Sequence, residues 1–362
     1  MRRKFIIGVI GVLFILVMVL IIIRLVRINN IKQKIKITAP KGIEEEIVMN
    51  INGNKQYVNI RGENIENPII VMVHGGSPMT PVIHTYQPLW EKDYTVVNFD
   101  RRGAGESYFL NKNQYNTMIE SMNPEQYIED IKAVVEYVTQ RFHKEKVIIM
   151  AHSFGTTLAS RFVLKYPEMV EAYIGSAQII DMKTDYELCR NGMLEKAKVV
   201  QDHKAVQELE SININYSNGK EALEIKKILE KYMVKYISKE AVDNNVQMFI
   251  DGMQSPYFPI SHLEYYFKLQ QLQKRDTDYL FQFNMYNYGN EFEVPVIFIC
   301  GSEDWMTRYT IEDYYDSVKA PYKKLISIQG IGHNTLLVAP EEFYVSFNSL
   351  SQSIWRTHKK LE

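Results

Sequence analysis

Four short apolar runs, each ending in a loop of small residues, constrain the fold of this chain more than any other feature. They are "NPIIVMVHGG" (67–76), "YTVVNFDRRGAGES" (94–107), "KVIIMAHS" (146–153) and "VPVIFICGSEDW" (294–305). The apolar part of each is continuous rather than alternating. A strand tolerates this only when both of its faces are covered, as in a mostly parallel sheet clad by helices. Two further segments, "VEAYIGSA" (170–177) and "KLISIQGIGHN" (324–334), extend the set. Ahead of them, "EEEIVMNI" and "KQYVNIRG" flank the turn "NGN" and predict a β-hairpin.

Helical patterns fall between the strands. "NPEQYIEDIKAVVEYVTQRFHKE" places Asn123 as an N-cap and Pro124 at the first helical position. "FGTTLASRFVLKYP" predicts a helix stopped by Pro167. The alternation breaks from about Gln178 to Glu293, where charged and aromatic helical segments follow one another. The expected organisation is an anchor and its flanks over 1–30, an α/β core over 31–177 and 294–362, and a helical cap inserted over 178–293. With 362 residues, 46% of them hydrophobic, the chain can bury a large core. A net charge of −1, without a concentrated basic face, argues against nucleic acid as a partner. The two cysteines, Cys189 and Cys300, are far apart and form no disulfide scaffold; Cys300 ends an apolar run and is expected in the core.

The N-terminus, "MRRKFIIGVIGVLFILVMVLIIIRLVRINN", is uncharged from Phe5 to Ile23. As a helix this stretch spans roughly 28 Å, close to the hydrocarbon thickness of a bilayer. No small-residue cleavage site follows it, so residues 5–23 are expected to be an uncleaved, single-pass membrane anchor. Basic residues lie on both sides of it. A large domain behind a short basic tail is more often exported, which places the domain outside the cytoplasm.

In a parallel α/β sheet, functional groups collect in the loops beyond the carboxyl ends of the strands. Four loops here carry "HGGSP", "AHSFG", "GSEDW" and "IGHN". A serine nucleophile needs a base to take its proton and a carboxylate to hold that base's tautomer. Ser153, Asp304 and His333 each stand just past a predicted strand, in that chain order. No His, Asp and Glu cluster has metal-ligand spacing, and no glycine fingerprint for a dinucleotide opens the first unit, so neither metal nor cofactor is expected. Glu303 is a rival to Asp304, but the spacing from Gly301 favours Asp304. His152 should point away from the site. Asp100 and Arg102 should pair with each other within their loop.

The chain order, with acid and base after an insertion, resembles the α/β-hydrolase fold. "VMVHGGSP", "NFDRRGAGES" and "AHSFG" resemble in particular the proline iminopeptidase branch, whose pattern is HGGPG, D-x-R-G-x-G-x-S and G-x-S-x-G. The resemblance covers the chain from about Lys41 onward. It implies Ser153 as nucleophile, Asp304 as orienting acid and His333 as base. It further implies an oxyanion hole from the backbone N–H groups of Gly76 and Phe154, with His74, Gly75 and Gly155 supporting the loops. Two departures stand out: "HGGSP" for HGGPG, and Ala151 in place of the first glycine. Moreover, Trp90, Trp305 and Trp355 all lie outside the expected cap, whereas that branch uses cap tryptophan and glutamates to bind a free amino terminus. The expected function is a membrane-anchored serine hydrolase acting on small peptides as an aminopeptidase. The alternatives are an esterase or lipase with the same triad and, more remotely, a non-catalytic binding module. Tyr257, Phe258, Tyr265, Tyr266 and Phe267 could line an acyl pocket or form the cap's own core.

Overall fold

The computed structural model describes residues 2–236, 245–272 and 274–348. Trp355 and the side chains of Tyr266 and Phe267 lie outside the described residues. Eight strands form one sheet: β1 (Ile43–Ile51), β2 (Asn54–Gly62), β3 (Ile69–Val73), β4 (Thr95–Phe99), β5 (Val147–His152), β6 (Val170–Ser176), β7 (Val296–Gly301) and β8 (Lys323–Ile328). Their spatial order is β1-β2-β4-β3-β5-β6-β7-β8. Strands β3 to β8 pair in parallel, whereas β2 is antiparallel to both β1 and β4. Every strand predicted from the sequence is present.

The continuous apolar runs have the expected cause. All residues of β3, β4, β5 and β7 are buried. Alternate side chains feed two separate cores: Ile69, Val71, Val73 and Ile149 on one face, Ile70, Met72, Ile148 and Met150 on the other. At the edge, β1 alternates between covered and exposed positions. Its turn to β2 puts Asn52 and Gly53 at φ 49° and 76°, the left-handed pair of a two-residue type I′ hairpin. Cys189 and Cys300 are both free and buried.

The helix Pro124–Phe142 begins as its sequence requires, with the Asn123 side chain accepting from the Gln126 N–H. Its covered stripe of Tyr127, Ile128, Ile131, Val134 and Val138 packs on the sheet. Asp130 sits within that stripe and is almost wholly buried. It accepts from Arg102 Nε and Nη2 at 2.9 Å each, from Gln56 at 2.7 Å and from Asn52 at 2.8 Å. The expected Asp100–Arg102 pair is therefore not formed. Asp100 instead accepts from Thr80 Oγ1 at 2.6 Å and the Glu106 N–H at 2.8 Å, shaping its own loop. A fork-shaped guanidinium is better satisfied by a carboxylate facing it across the core than by one two residues away.

Between β6 and β7 the chain is helical, with Met182–Val199, His203–Glu210, Gly219–Tyr236, Asn245–Gln254, Leu263–Leu272 and Lys274–Leu280 among the described residues. Asp185 joins this stretch to the helix Arg308–Ser317. It accepts from the N–H groups of Tyr309 and Thr310 and from Thr310 Oγ1. Burial raises its pKa from 3.8 to about 7 despite these donors. The folded chain thus binds this proton more tightly than the unfolded chain does. Stability from this group is greatest at low pH and is lost as pH rises from about 4 to 7. Asp185→Asn should flatten that slope. Denaturant midpoints at pH 5 and 7.5 would measure it, and an unchanged slope would discount Asp185 as its source.

The N-terminal helix Arg2–Lys34 leaves its apolar residues exposed from Phe5 onward. By length and composition it can cross a membrane.

Candidate active site

The loops after β3, β5, β7 and β8 meet at one sheet edge. Ser153 follows β5 directly and starts the helix Phe154–Lys165 in a conformation with φ 51° and ψ −125°. A side chain at positive φ is strained, and the surrounding backbone holds it there. Ser153 N–H donates to the Ser176 carbonyl at 3.0 Å, and Thr156 Oγ1 donates to the Ser153 carbonyl at 2.6 Å. Gly155 has no freedom to carry a side chain: a Cβ there would lie 2.2 Å from the Val73 carbonyl oxygen. At the other flank, Ala151 is completely buried, and its register partner on β6 is Gly175. On the β6 side no side chain competes with the methyl, and on the β3 side its register partner Val73 shares the same core.

Ser153 Oγ lies 2.7 Å from His333 Nε2. His333 Nδ1 lies 2.9 Å and 3.1 Å from the two oxygens of Asp304. The carboxylate sites leave Nδ1 as the donor, so Nε2 is the nitrogen that accepts from the serine hydroxyl. Asp304 is fully buried and also accepts from the Met306 N–H and from Thr307 Oγ1. Burial pushes its pKa up, but the facing His333 and these donors outweigh burial and hold it below the ordinary carboxylate range. Glu303 faces Ser302 and Arg308 instead. The β7 and β8 loops approach closely because residue 301 is glycine: a Cβ there would meet the Ile331 carbonyl at 2.1 Å.

His74 is buried, accepts the Arg101 N–H at Nε2 (3.0 Å) and so donates from Nδ1 to the Gly75 carbonyl (2.9 Å). Burial, with the nearby Arg101 charge, lowers its pKa well below the usual value and keeps the ring neutral. It thus braces the loop carrying Gly75 and Gly76. Phe154 opens its helix, so its N–H has no carbonyl within that helix to serve. His152 turns from Ser153 toward Asn334 Oδ1 (3.0 Å) and Ser176 Oγ (3.3 Å). Burial and the neighbouring His333 push its pKa down to about 3.

The cavity over Ser153 measures about 260 Å³ and is bordered by Gly76, Phe154, Lys226, Glu230, Met248 and Asp276, among others. The last four come from the helices between β6 and β7, and their sequence carries no periodic or motif signal that singles them out. Arg101 was also invisible beside its two named neighbours. Its guanidinium donates to the Gly75 carbonyl at 2.8 Å and packs 4.6 Å from the Phe154 ring centroid. It also pairs with Asp276 at 3.5 Å, while Tyr127 donates to the same carboxylate at 2.8 Å. The candidate acyl-pocket aromatics go elsewhere: Tyr257, Phe258 and Tyr265 line a different cavity of about 370 Å³, beside Asp100, Glu106 and His262. Among the described residues, no group of three or more His, Cys, Asp or Glu side chains could hold a metal ion.

This sheet order, with its strand-end loops converging on a strained serine, defines the alpha/beta hydrolase fold. That family matches residues 68–340, and the chain belongs to it; it is a hydrolytic enzyme. The chain is similar to the probable aminopeptidase YbaC of Bacillus subtilis (strain 168), at 22% identity over 302 residues, or 82% of this chain and 92% of that one. The proline iminopeptidase of Mycobacterium smegmatis superposes with a TM-score of 0.59 at 16% identity, covering 88% of this chain and 100% of its own. A membrane phospholipase A superposes with a TM-score of 0.56 at 12% identity, covering 98% and 99%.

Proposed function

We propose that the chain is a membrane-anchored serine hydrolase that releases amino-terminal residues from small peptides through an acyl-enzyme. Ser153 attacks the carbonyl, and His333 takes its proton and returns it to the leaving amine. Asp304 holds the imidazole and balances its charge. The N–H groups of Gly76 and Phe154 receive the oxyanion, each lowering the barrier by on the order of 3 kcal/mol. Residues 178–293 act as the cap, and Phe5–Ile23 as a single-pass anchor with the hydrolase domain outside the cytoplasm.

The observation that carries the peptide reading is the pair of carboxylates, Glu230 and Asp276, bordering the same cavity as Ser153. An ammonium group entering that cavity meets these two carboxylates beside the Lys226 ammonium, with which it competes for Glu230, and a free amino terminus is the feature that separates an aminopeptidase substrate from an ester. Asp276 is already engaged by Arg101 and Tyr127. Among the described residues Glu230 pairs with Lys226 alone, at 3.5 Å, and is the better placed of the two. The similarity to an aminopeptidase over most of the chain supports the same reading.

Glu230→Gln should therefore raise KM about tenfold for alanyl or prolyl arylamides, the equivalent of roughly 1.4 kcal/mol, as befits a charged hydrogen bond. It should leave short arylesters unaffected. The deciding comparison is wild-type turnover of free and N-acetylated arylamides against arylesters, with Ser153→Ala as the blank. A requirement for the free amine upholds the aminopeptidase. Ester turnover alone, growing with acyl length, replaces it by the lipid-ester reading, which the N-terminal apolar helix favours because it brings the site to lipid.

A further inference from the structure

The N-terminal helix is not a free tether. It is held to the catalytic unit at two levels. Arg24 donates through Nε to the Met253 carbonyl (2.9 Å) and through Nη2 to the Phe258 carbonyl (2.5 Å). Just past the helix, Ile35 is buried and its carbonyl accepts from the buried Arg61 guanidinium. Arg61 also donates to Tyr257 Oη at 2.9 Å, so both ties converge on the segment 253–258.

Arg24 is the first charge after the apolar stretch, so in a spanning helix its guanidinium belongs in the headgroup layer. The two carbonyls it binds are then at that level too. Ile250 is one turn of helix from Met253, roughly 5 Å along the axis. Phe249, Ile250 and Ile260 are 46%, 41% and 54% exposed, an apolar edge on both sides of the Arg24 contact. The only charged residue of the helix Asn245–Gln254 is Asp251, which turns to a side cavity shared with Val82 and Val338. Met248 borders both that cavity and the Ser153 cavity.

We infer that the segment 245–260 lies on the bilayer surface, its apolar edge among the lipid headgroups, and forms the lip from which substrate reaches Ser153. The inference rests on Phe5–Ile23 spanning the membrane. The occupant of the edge is lipid because the edge is continuous with the anchor through Arg24, whose position fixes the height of the segment. A substrate with an apolar tail partitioned into the bilayer surface then approaches along Met248 without first entering water.

The test uses the full chain in phosphatidylcholine–phosphatidylglycerol vesicles. Both natural cysteines are buried, so a single added cysteine takes an environment-sensitive fluorophore selectively. Ile250→Cys, Leu13→Cys and Glu168→Cys are labelled in turn, Glu168 being exposed at the opposite end of the sheet. Lipids carrying a nitroxide near the headgroup should abolish most of the emission from position 250 and little of that from 168. Deep nitroxides should quench position 13. Quenching at 13 with none at 250 overturns the inference and leaves the anchor standing; no quenching at 13 overturns both. A functional arm uses Ile250→Asp, which should lower turnover of a vesicle-bound, long-chain substrate severalfold while soluble arylamide turnover stays the same. Equal turnover of the vesicle-bound substrate would overturn the role of the lip.

Discussion

Ser153→Ala is expected to reduce turnover by about 10⁵- to 10⁶-fold, the cost of removing the nucleophile from a serine triad. The hydroxyl lies 2.7 Å from His333 Nε2, the acceptor for its proton in the relay. Ser153 is held at positive φ by its backbone bonds to Ser176 and Thr156, and alanine keeps those bonds. The folded state should therefore survive, and the thermal midpoint should match that of the wild type. Asp304→Asn should fall about 10⁴-fold, because it retains the geometry but offers an amide where the imidazole N–H needs an acceptor. Rates are to be read on purified protein, with active-site titration by a fluorophosphonate. A Ser153→Ala preparation that still turns over at a few per cent would falsify the triad.

The largest effect on stability belongs to a residue that never touches substrate. Asp130→Ala should cost about 3–5 kcal/mol, since it leaves the Arg102 guanidinium buried and uncompensated. Gln56 and Asn52 lose an acceptor at the same time. Their partner sits where β2, the β4 loop and the helix Pro124–Phe142 come together, so collapse of the site cannot replace it with water cheaply. The double variant Asp130→Ala/Arg102→Met should recover a large part of the loss, because it removes the stranded charge. Denaturant midpoints in detergent would check both. If the single variant loses less than about 1 kcal/mol, or the double variant loses more than the single, the buried pair does not act as described.

Much of this arrangement was legible from residue order. The four short apolar runs that end in small-residue loops are buried on both faces, and each is a strand, whereas the longer N-terminal run is an exposed helix. Ser153, Asp304 and His333 were legible because strand ends in a parallel sheet share one edge, so three residues distant in sequence had to be neighbours. Partnership within the core was less legible. Arg102 had a carboxylate two residues away, and only the packing of a helix on the sheet reveals that Asp130 faces it. A hint existed: Asp130 is a lone charge on the apolar stripe with Tyr127, Ile131 and Val134. Glu230 and Met248 left no hint, since a helix that borders a cavity has the same periodicity as one that borders solvent. The placement of Tyr257 and Phe258 involves contacts from remote parts of the chain, Arg61 donating to the Tyr257 hydroxyl and Arg24 to the Phe258 carbonyl.

The contact between Ser153 and His333 joins positions 180 apart, and the base comes from the last part of the chain to be made. At about 5–20 residues per second, Ser153 is synthesised roughly 10–40 s before His333. Meanwhile the apolar helix has emerged first. Under the proposed triad, the relay from Ser153 is incomplete until β8 takes its place at the edge of the sheet and the loop after it delivers His333.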